Sequence, residues 1–287
     1  MPEQTSISMD DAIRVITNLT PRPDELMVIA VVGGTNSGKT TLTKLLADVA
    51  GARMVHFPQD TFQLGYGFSG IENSKYRADD PINFALDECA VGLASLKKDN
   101  DTVVPLITPL RYERHGTRVI HPKPLILWEG IYAVPTSELE ELADTIFYVD
   151  TPYAVRIIRR ISRFIEERGG SITDKQAISS PTHMLSSILL AEKDFVITQR
   201  PKANYIVQFD DRLVSKEFQA LEKAATCLTK AESLGKLYGN KEIGEGSVDL
   251  HEQGLAIQYQ NRQIYAVQLD ATTMAIAKGN FDYIQYI

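Results

Sequence analysis

From Val31 to Leu42 the chain reads Val-Val-Gly-Gly-Thr-Asn-Ser-Gly-Lys-Thr-Thr-Leu, and seven mostly apolar residues, 26–32, run directly into it. A buried strand that turns at once into a helix leaves few folds open, and glycine is the residue that permits the turn. The spacing Gly33-x4-Gly38-Lys39-Thr40 is that of a phosphate loop. Its backbone N–H groups point inward, and the helix N-terminus adds partial positive charge. Lys39 would reach the β- and γ-phosphates, and the Thr40 hydroxyl would bind Mg²⁺. The nucleotide-holding set is Gly33, Gly34, Thr35, Asn36, Ser37, Gly38, Lys39, Thr40 and Thr41. The expected cofactors are ATP (or GTP) and Mg²⁺.

Hydrophobic periodicity extends this loop into an α/β protein. Five apolar strands are expected, at 26–32, 53–57, 124–128, 145–149 and 204–209, in a mostly parallel sheet flanked by helices. Helices are expected over 9–19 (Ser8 as N-cap), 82–97, 137–142, 151–168, 180–194 and 214–236. The helix after the loop should bury Leu42, Leu45, Leu46 and Val49. Residues 60–80 read as a long loop and 102–108 and 117–121 as short extended pieces. The segment 239–246 has the composition of a linker, and 247–269 alternates like short strands. The expected domains are an N-terminal helix and linker (1–25), a P-loop domain (26–212), and a helical connection with a small β-rich appendage (213–287).

Composition is that of an ordinary globular chain, 44% apolar and 23% charged. The net charge of −7 argues against a general nucleic-acid or acidic-membrane surface. Cys89 and Cys227 match no metal spacing and are expected to be reduced thiols. No apolar run approaches the roughly 20 residues that span a bilayer, and the start Met-Pro-Glu-Gln-Thr is unlike a secretion signal. The expectation is a soluble, cytoplasmic protein.

Two carboxylates stand at strand ends, Asp60 after 53–57 and Glu129 after 124–128. Parallel strands deliver their C-terminal ends to one crevice, so both are candidates for metal or catalytic work. The helix expected from Thr151 carries Arg156, Arg159, Arg160, Arg163 and Arg168. Arg156, Arg160 and Arg163 share a face at i, i+4, i+7, a pattern suited to clamping a transferring phosphoryl group. The stretch 108–118 offers Tyr112, Arg114, His115 and Arg118 for a polar planar ligand. His56, His121, His183 and His251 form no metal or triad spacing and are assigned structural roles.

Taken in order, these pieces resemble the uridine kinase/phosphoribulokinase family of P-loop kinases. The Thr35-Asn36-Ser37 core of the loop is similar to that of nicotinamide riboside kinases. Pro58-Gln59-Asp60-Thr61-Phe62 resembles the family's Gln-Asp-x-Phe motif, and Asp80-Pro81-Ile82-Asn83-Phe84 its Pro-Asp-Ala-Phe segment. The stretch from Pro109 to Glu113 resembles Pro-x-Tyr-Asp, and Trp128-Glu129-Gly130-Ile131 the Glu-Gly-Ile/Leu motif. The arginine helix resembles the lid, and Pro201-Lys202-Ala203-Asn204-Tyr205-Ile206-Val207 the closing strand.

The resemblance implies that Asp60 is the general base, that Lys39 and Thr40 handle phosphates and Mg²⁺, and that Glu129 supports the metal. Arg160 and Arg163 would neutralise charge during in-line transfer, with Arg159 beside the nucleotide. Phe62, Phe84, Tyr112, His115, Arg118 and Arg156 would face the acceptor along with Asp60. The acceptor implied is a nucleoside such as uridine or cytidine, or a related riboside. Pantothenate and sugar phosphates are the non-nucleoside alternatives, and a nucleotide-binding regulatory protein with a degenerate kinase fold is the non-catalytic one. No nucleic-acid or membrane partner is implied, and a homo-oligomer is compatible. Uridine kinases usually carry Arg-Asp where this chain has Arg163-Phe164, and Arg where it has Gly170. The Tyr112–Arg118 spacing is one residue shorter than theirs.

Overall fold

Alternation along the apolar strands divides the main core in two. The computed structural model describes residues 4–19, 25–64, 79–108, 114–151, 191–208, 231–243, 246–259 and 262–268, with single positions at 155, 156, 159, 160, 163, 188, 274 and 278. In chain order the elements are β1 (Thr5–Ile7), α1 (Met9–Asn18), β2 (Met27–Val32), α2 (Lys39–Ala50), β3 (Met54–Pro58), α3 (Leu86–Lys97), β4 (Thr102–Ile107), β5 (Arg114–Ile120), β6 (Leu125–Gly130), α4 (Ser137–Leu142), β7 (Thr145–Asp150) and β8 (Tyr205–Gln208). After these come β9 (Leu237–Ile243), β10 (Gly246–His251), β11 (Gly254–Tyr259) and β12 (Arg262–Gln268).

The main sheet has the order β1-β8-β7-β2-β6-β3, and every pairing in it is parallel. On one face Ile29, Val31, Leu125, Leu127, Phe147 and Val149 pack with Ala12 and Ile16 of α1 and Leu42 and Leu46 of α2. On the other, Val28, Ala30, Val32, Ile126, Trp128 and Tyr148 pack with Cys89, Leu93 and Leu96 of α3 and Leu139 of α4. The central strands β2, β6 and β7 are thus buried on both faces, which is why these segments read as continuous apolar runs. Among the described residues no helix is long and apolar enough to cross a membrane.

The expected sheet of five strands gains a sixth. Thr5–Ile7 pairs with Tyr205–Val207 at the sheet edge, and three polar-to-apolar residues in isolation carry no periodic signal. The helix α1 is capped as expected, with Ser8 Oγ accepting from the Asp11 N–H. In α2 the buried face is Leu42, Thr43, Leu46 and Ala50; Leu45 and Val49 are exposed, because a helix on a sheet covers a narrower stripe than the leucine count suggests. A single 3-10 turn at Pro81–Asn83 precedes α3, which starts four residues later than expected. The two extended pieces pair as the antiparallel hairpin β4–β5.

The chain divides into two compact units. The first is Met1–Gly34, Gly38–Asp150 and Ala191–Gln208; the second is Thr35–Ser37, Thr151–Leu190 and Phe209–Ile287. In the second unit β9 to β12 form an antiparallel sheet of consecutive neighbours. The linker expected at 239–246 is largely strand β9, paired with β10. Cross-strand pairing overrode a glycine-rich, charged composition there. Residues 214–230 of the helix expected over 214–236 and residues 65–78 of the long loop expected over 60–80 lie outside the described residues; Ala231–Leu234 is a 3-10 turn.

Candidate active site

Strand register brings the sequence motifs together. Glu129 is level with Val31 of β2 on one side and with Pro58 of β3 on the other. Two residues beyond Val31 the phosphate loop begins, and two beyond Pro58 stands Asp60. Three neighbouring parallel strands therefore release the phosphate loop, Glu129 and Asp60 at one edge of the sheet. Gly38, at φ 105°, caps α2 in the left-handed region, a conformation that favours glycine. The Lys39 ammonium donates to the Gly34 carbonyl at 3.0 Å, spanning the loop it closes.

Glu129 is 8% exposed. The Thr40 hydroxyl stands 3.4 Å from each of its carboxylate oxygens. On the other flank His56 Nε2 lies 3.4 Å from Oε1. The structure thus sets beside Glu129 a histidine that spacing had assigned a structural role, since a contact between neighbouring strands leaves no trace in linear spacing.

Behind the carboxylates the backbone is locked by buried amides. Gln59, fully buried, accepts from the Tyr132 N–H at 2.9 Å and donates to the Tyr132 carbonyl at 2.7 Å. Gln199, also fully buried, accepts from the Val134 N–H at 2.9 Å and donates to the Ile131 carbonyl at 2.7 Å. Trp128 Nε1 donates to the Ala133 carbonyl and Lys202 to that of Val134. The loop after Gly130 has no regular structure, yet four consecutive carbonyls are satisfied by side chains, as burial requires. Gln59 fixes the start of the Asp60 turn to the end of the Glu129 strand.

The other expected residues are placed as follows. Asp60 is exposed in the turn Gln59–Phe62. Phe62 is 2% exposed against Phe57, a core position beneath that turn. Phe84 is also buried, edge-on to Tyr132. His115 and Arg118 are exposed on β5, where Arg114 pairs with Glu88 at 3.0 Å. Tyr112 lies outside the described residues, as do Phe164 and Gly170. In the second unit Arg159 donates to the Ser37 carbonyl at 2.9 Å and approaches that of Asn36 at 3.5 Å. Thr151 Oγ1 donates to the same Ser37 carbonyl. Arg156 is 1% exposed, Arg160 half-buried and Arg163 exposed, so the three arginines do not present one evenly accessible face.

The donor set fits a nucleotide with a hard cation. Asn36 Nδ2 and Ser37 Oγ, both in the loop tip, are buried without hydrogen-bond partners among the described residues. Among the described residues no cluster of three or more His, Cys, Asp or Glu could hold a metal. Mg²⁺ needs none, since it keeps waters and takes one or two protein oxygens beside phosphates. Thr40 and Glu129 are the side chains that could supply those oxygens.

The model of the phosphoribulokinase/uridine kinase family matches residues 28–209. A uridine kinase of Macrococcus caseolyticus is 34% identical over 145 residues, covering 50% of this chain and 70% of that protein. One of Listeria innocua is 30% identical over 174 residues, covering 58% and 81%. The phosphoribulokinase of Rhodobacter spheroides shares the fold, with a TM-score of 0.50 at 15% identity over 91% of this chain and 98% of that one. With the phosphate loop, Asp60 and Glu129 at adjoining strand ends, the chain belongs to the phosphoribulokinase/uridine kinase family, small-molecule phosphotransferases that act on an alcohol group.

Proposed function

We propose that the chain transfers the γ-phosphate of ATP (or GTP) to a hydroxyl of a nucleoside such as uridine or cytidine, or of a related riboside. The observation that carries this reading is the register that sets Glu129 between the strand of the phosphate loop and the strand of Asp60. The similarity to the uridine kinases of Macrococcus caseolyticus and Listeria innocua supports the nucleoside class.

In this reading Asp60 accepts the acceptor hydroxyl's proton as the new oxygen–phosphorus bond forms. The bond to the β-phosphate oxygen breaks, leaving the nucleoside diphosphate. Lys39 balances charge on the β- and γ-phosphates, and Thr40 and Glu129 would hold Mg²⁺, which would neutralise phosphate charge. Arg159 steadies the loop tip, and Arg160 and Arg163 keep the charge-compensating role that the family resemblance implies. His115, Arg118 and Tyr112 supply the acceptor's polar contacts, with Phe84, and Phe62 beneath the Asp60 turn, shaping its surroundings. Positioning and electrostatics carry most of the acceleration.

Asp60→Asn is expected to bind nucleotide as the wild type does while turnover falls by about 100-fold or more. Calorimetric binding beside a coupled assay of diphosphate release measures both, and an active variant would overturn the base assignment. An acceptor panel of nucleosides, ribosides, pantothenate and pentose phosphates tests the substrate class.

A further inference from the structure

His56 occupies β3, one strand from Glu129, and its Nε2 faces Oε1 at 3.4 Å. The side chain as a whole is 39% exposed, but this nitrogen is buried and has no hydrogen-bond partner among the described residues. An ionised carboxylate only accepts, so Nε2 can bond to it only in the tautomer that carries the proton there. A buried donor is costly to leave unpaired, and a shift of a few tenths of an ångström would bring this pair to ordinary hydrogen-bond length. Thr40 flanks the same carboxylate from the phosphate loop. Glu129 is therefore bracketed by a hydroxyl on one side and an imidazole nitrogen on the other.

We propose that His56 is a positioning residue for Glu129: its Nε2–H holds Oε1 and keeps the carboxylate turned toward Thr40 and the cation of the bound nucleotide. The proposal rests on the metal role given to Glu129 above. Groups that orient a metal-binding side chain tune metal affinity by about 10–100-fold, and that is the quantity to read.

The chain, saturated with ADP, is titrated with Mn²⁺ and the free ion followed by electron paramagnetic resonance. His56→Leu is expected to weaken Mn²⁺ binding by about tenfold, leaving metal-free ADP affinity unchanged. His56→Gln, whose amide N–H reaches a similar point, is expected to regain most of the loss. Should the leucine variant fail to fold, His56→Asn, polar but too short to reach, takes its place with the same expected loss. Unchanged Mn²⁺ affinity overturns the proposal. So does an equal loss of metal-free ADP affinity, which marks a packing defect, or a glutamine variant as weak as the leucine one. Glu129→Gln is run alongside. If it too binds Mn²⁺ like the wild type, the metal role of Glu129 falls and the proposal with it. If it weakens binding while His56→Leu does not, His56 alone is removed.

Discussion

A β-carbon on Gly130 would fall 2.1 Å from Oε1 and 2.5 Å from Cβ of Gln59. That side chain cannot swing away, because both ends of its amide are committed to Tyr132. The glycine next to Glu129 is thus required by close approach, not by an unusual backbone angle. Gly130→Ala should displace Gln59 and cost about 3 kcal/mol, the upper range for overpacking a tight core. Urea unfolding measures it, and a loss under 0.5 kcal/mol would mean that Gln59 repacks freely. Cys89 is a second residue whose behaviour follows from burial. It is fully buried in the core beneath the sheet, and desolvation pushes its thiol well above the ordinary range. It should resist alkylation in the native state at pH 8 and react on unfolding, as mass spectrometry of its peptide would report.

At the scale of elements, the loop at 131–134 is the segment on which the site depends and the one least visible beforehand. Its partners Gln59 and Gln199 lie 73 and 65 residues away in the chain, and nothing about a lone glutamine signals burial. Parallel strands, by contrast, were legible, because burial on both faces writes a continuous apolar run. The phosphate loop, Asp60 and Glu129 follow from those runs, since each stands just after one. Strands β1 and β9 carry no such run and exist through their pairing partners. Gln199→Leu keeps the volume but strands the Val134 N–H and the Ile131 carbonyl. It should destabilise the protein by about 2–4 kcal/mol, on the scale of two buried unsatisfied groups, read as a lower urea midpoint with unchanged slope. Helix α1 offers a milder test. The Ser8 hydroxyl donates to Asp11 and holds its carboxyl below the usual range. A depressed folded value stabilises above the unfolded pKa and is lost as pH falls through the folded one. Ser8→Ala should therefore lower the melting temperature more at pH 7 than at pH 2.5, and an equal shift at both would dismiss the link.

At the scale of the whole molecule, stability should follow how completely each strand is enclosed. Every residue of β6 is buried, and β2 is covered between β6 and β7. The hairpin β4–β5 stands apart from that sheet, with Val103 and Val119 paired and exposed on it and residues 114–119 all exposed. Local opening frees such a hairpin at far lower cost than breaking the six-stranded sheet. Backbone amides of 27–32 and 125–130 should therefore exchange with deuterium last, and those of 114–120 orders of magnitude sooner. Nucleotide with Mg²⁺ at a hundredfold excess over Kd adds about 2.7 kcal/mol to any block that must release it to unfold. Because the phosphate loop is continuous with β2 and α2, the six-stranded sheet should gain that full protection as one block. The strands β9 to β12, a separate sheet of the second compact unit, should exchange at a level of their own. A single protection level across both sheets, with and without nucleotide, would show instead that the chain opens as one cooperative unit.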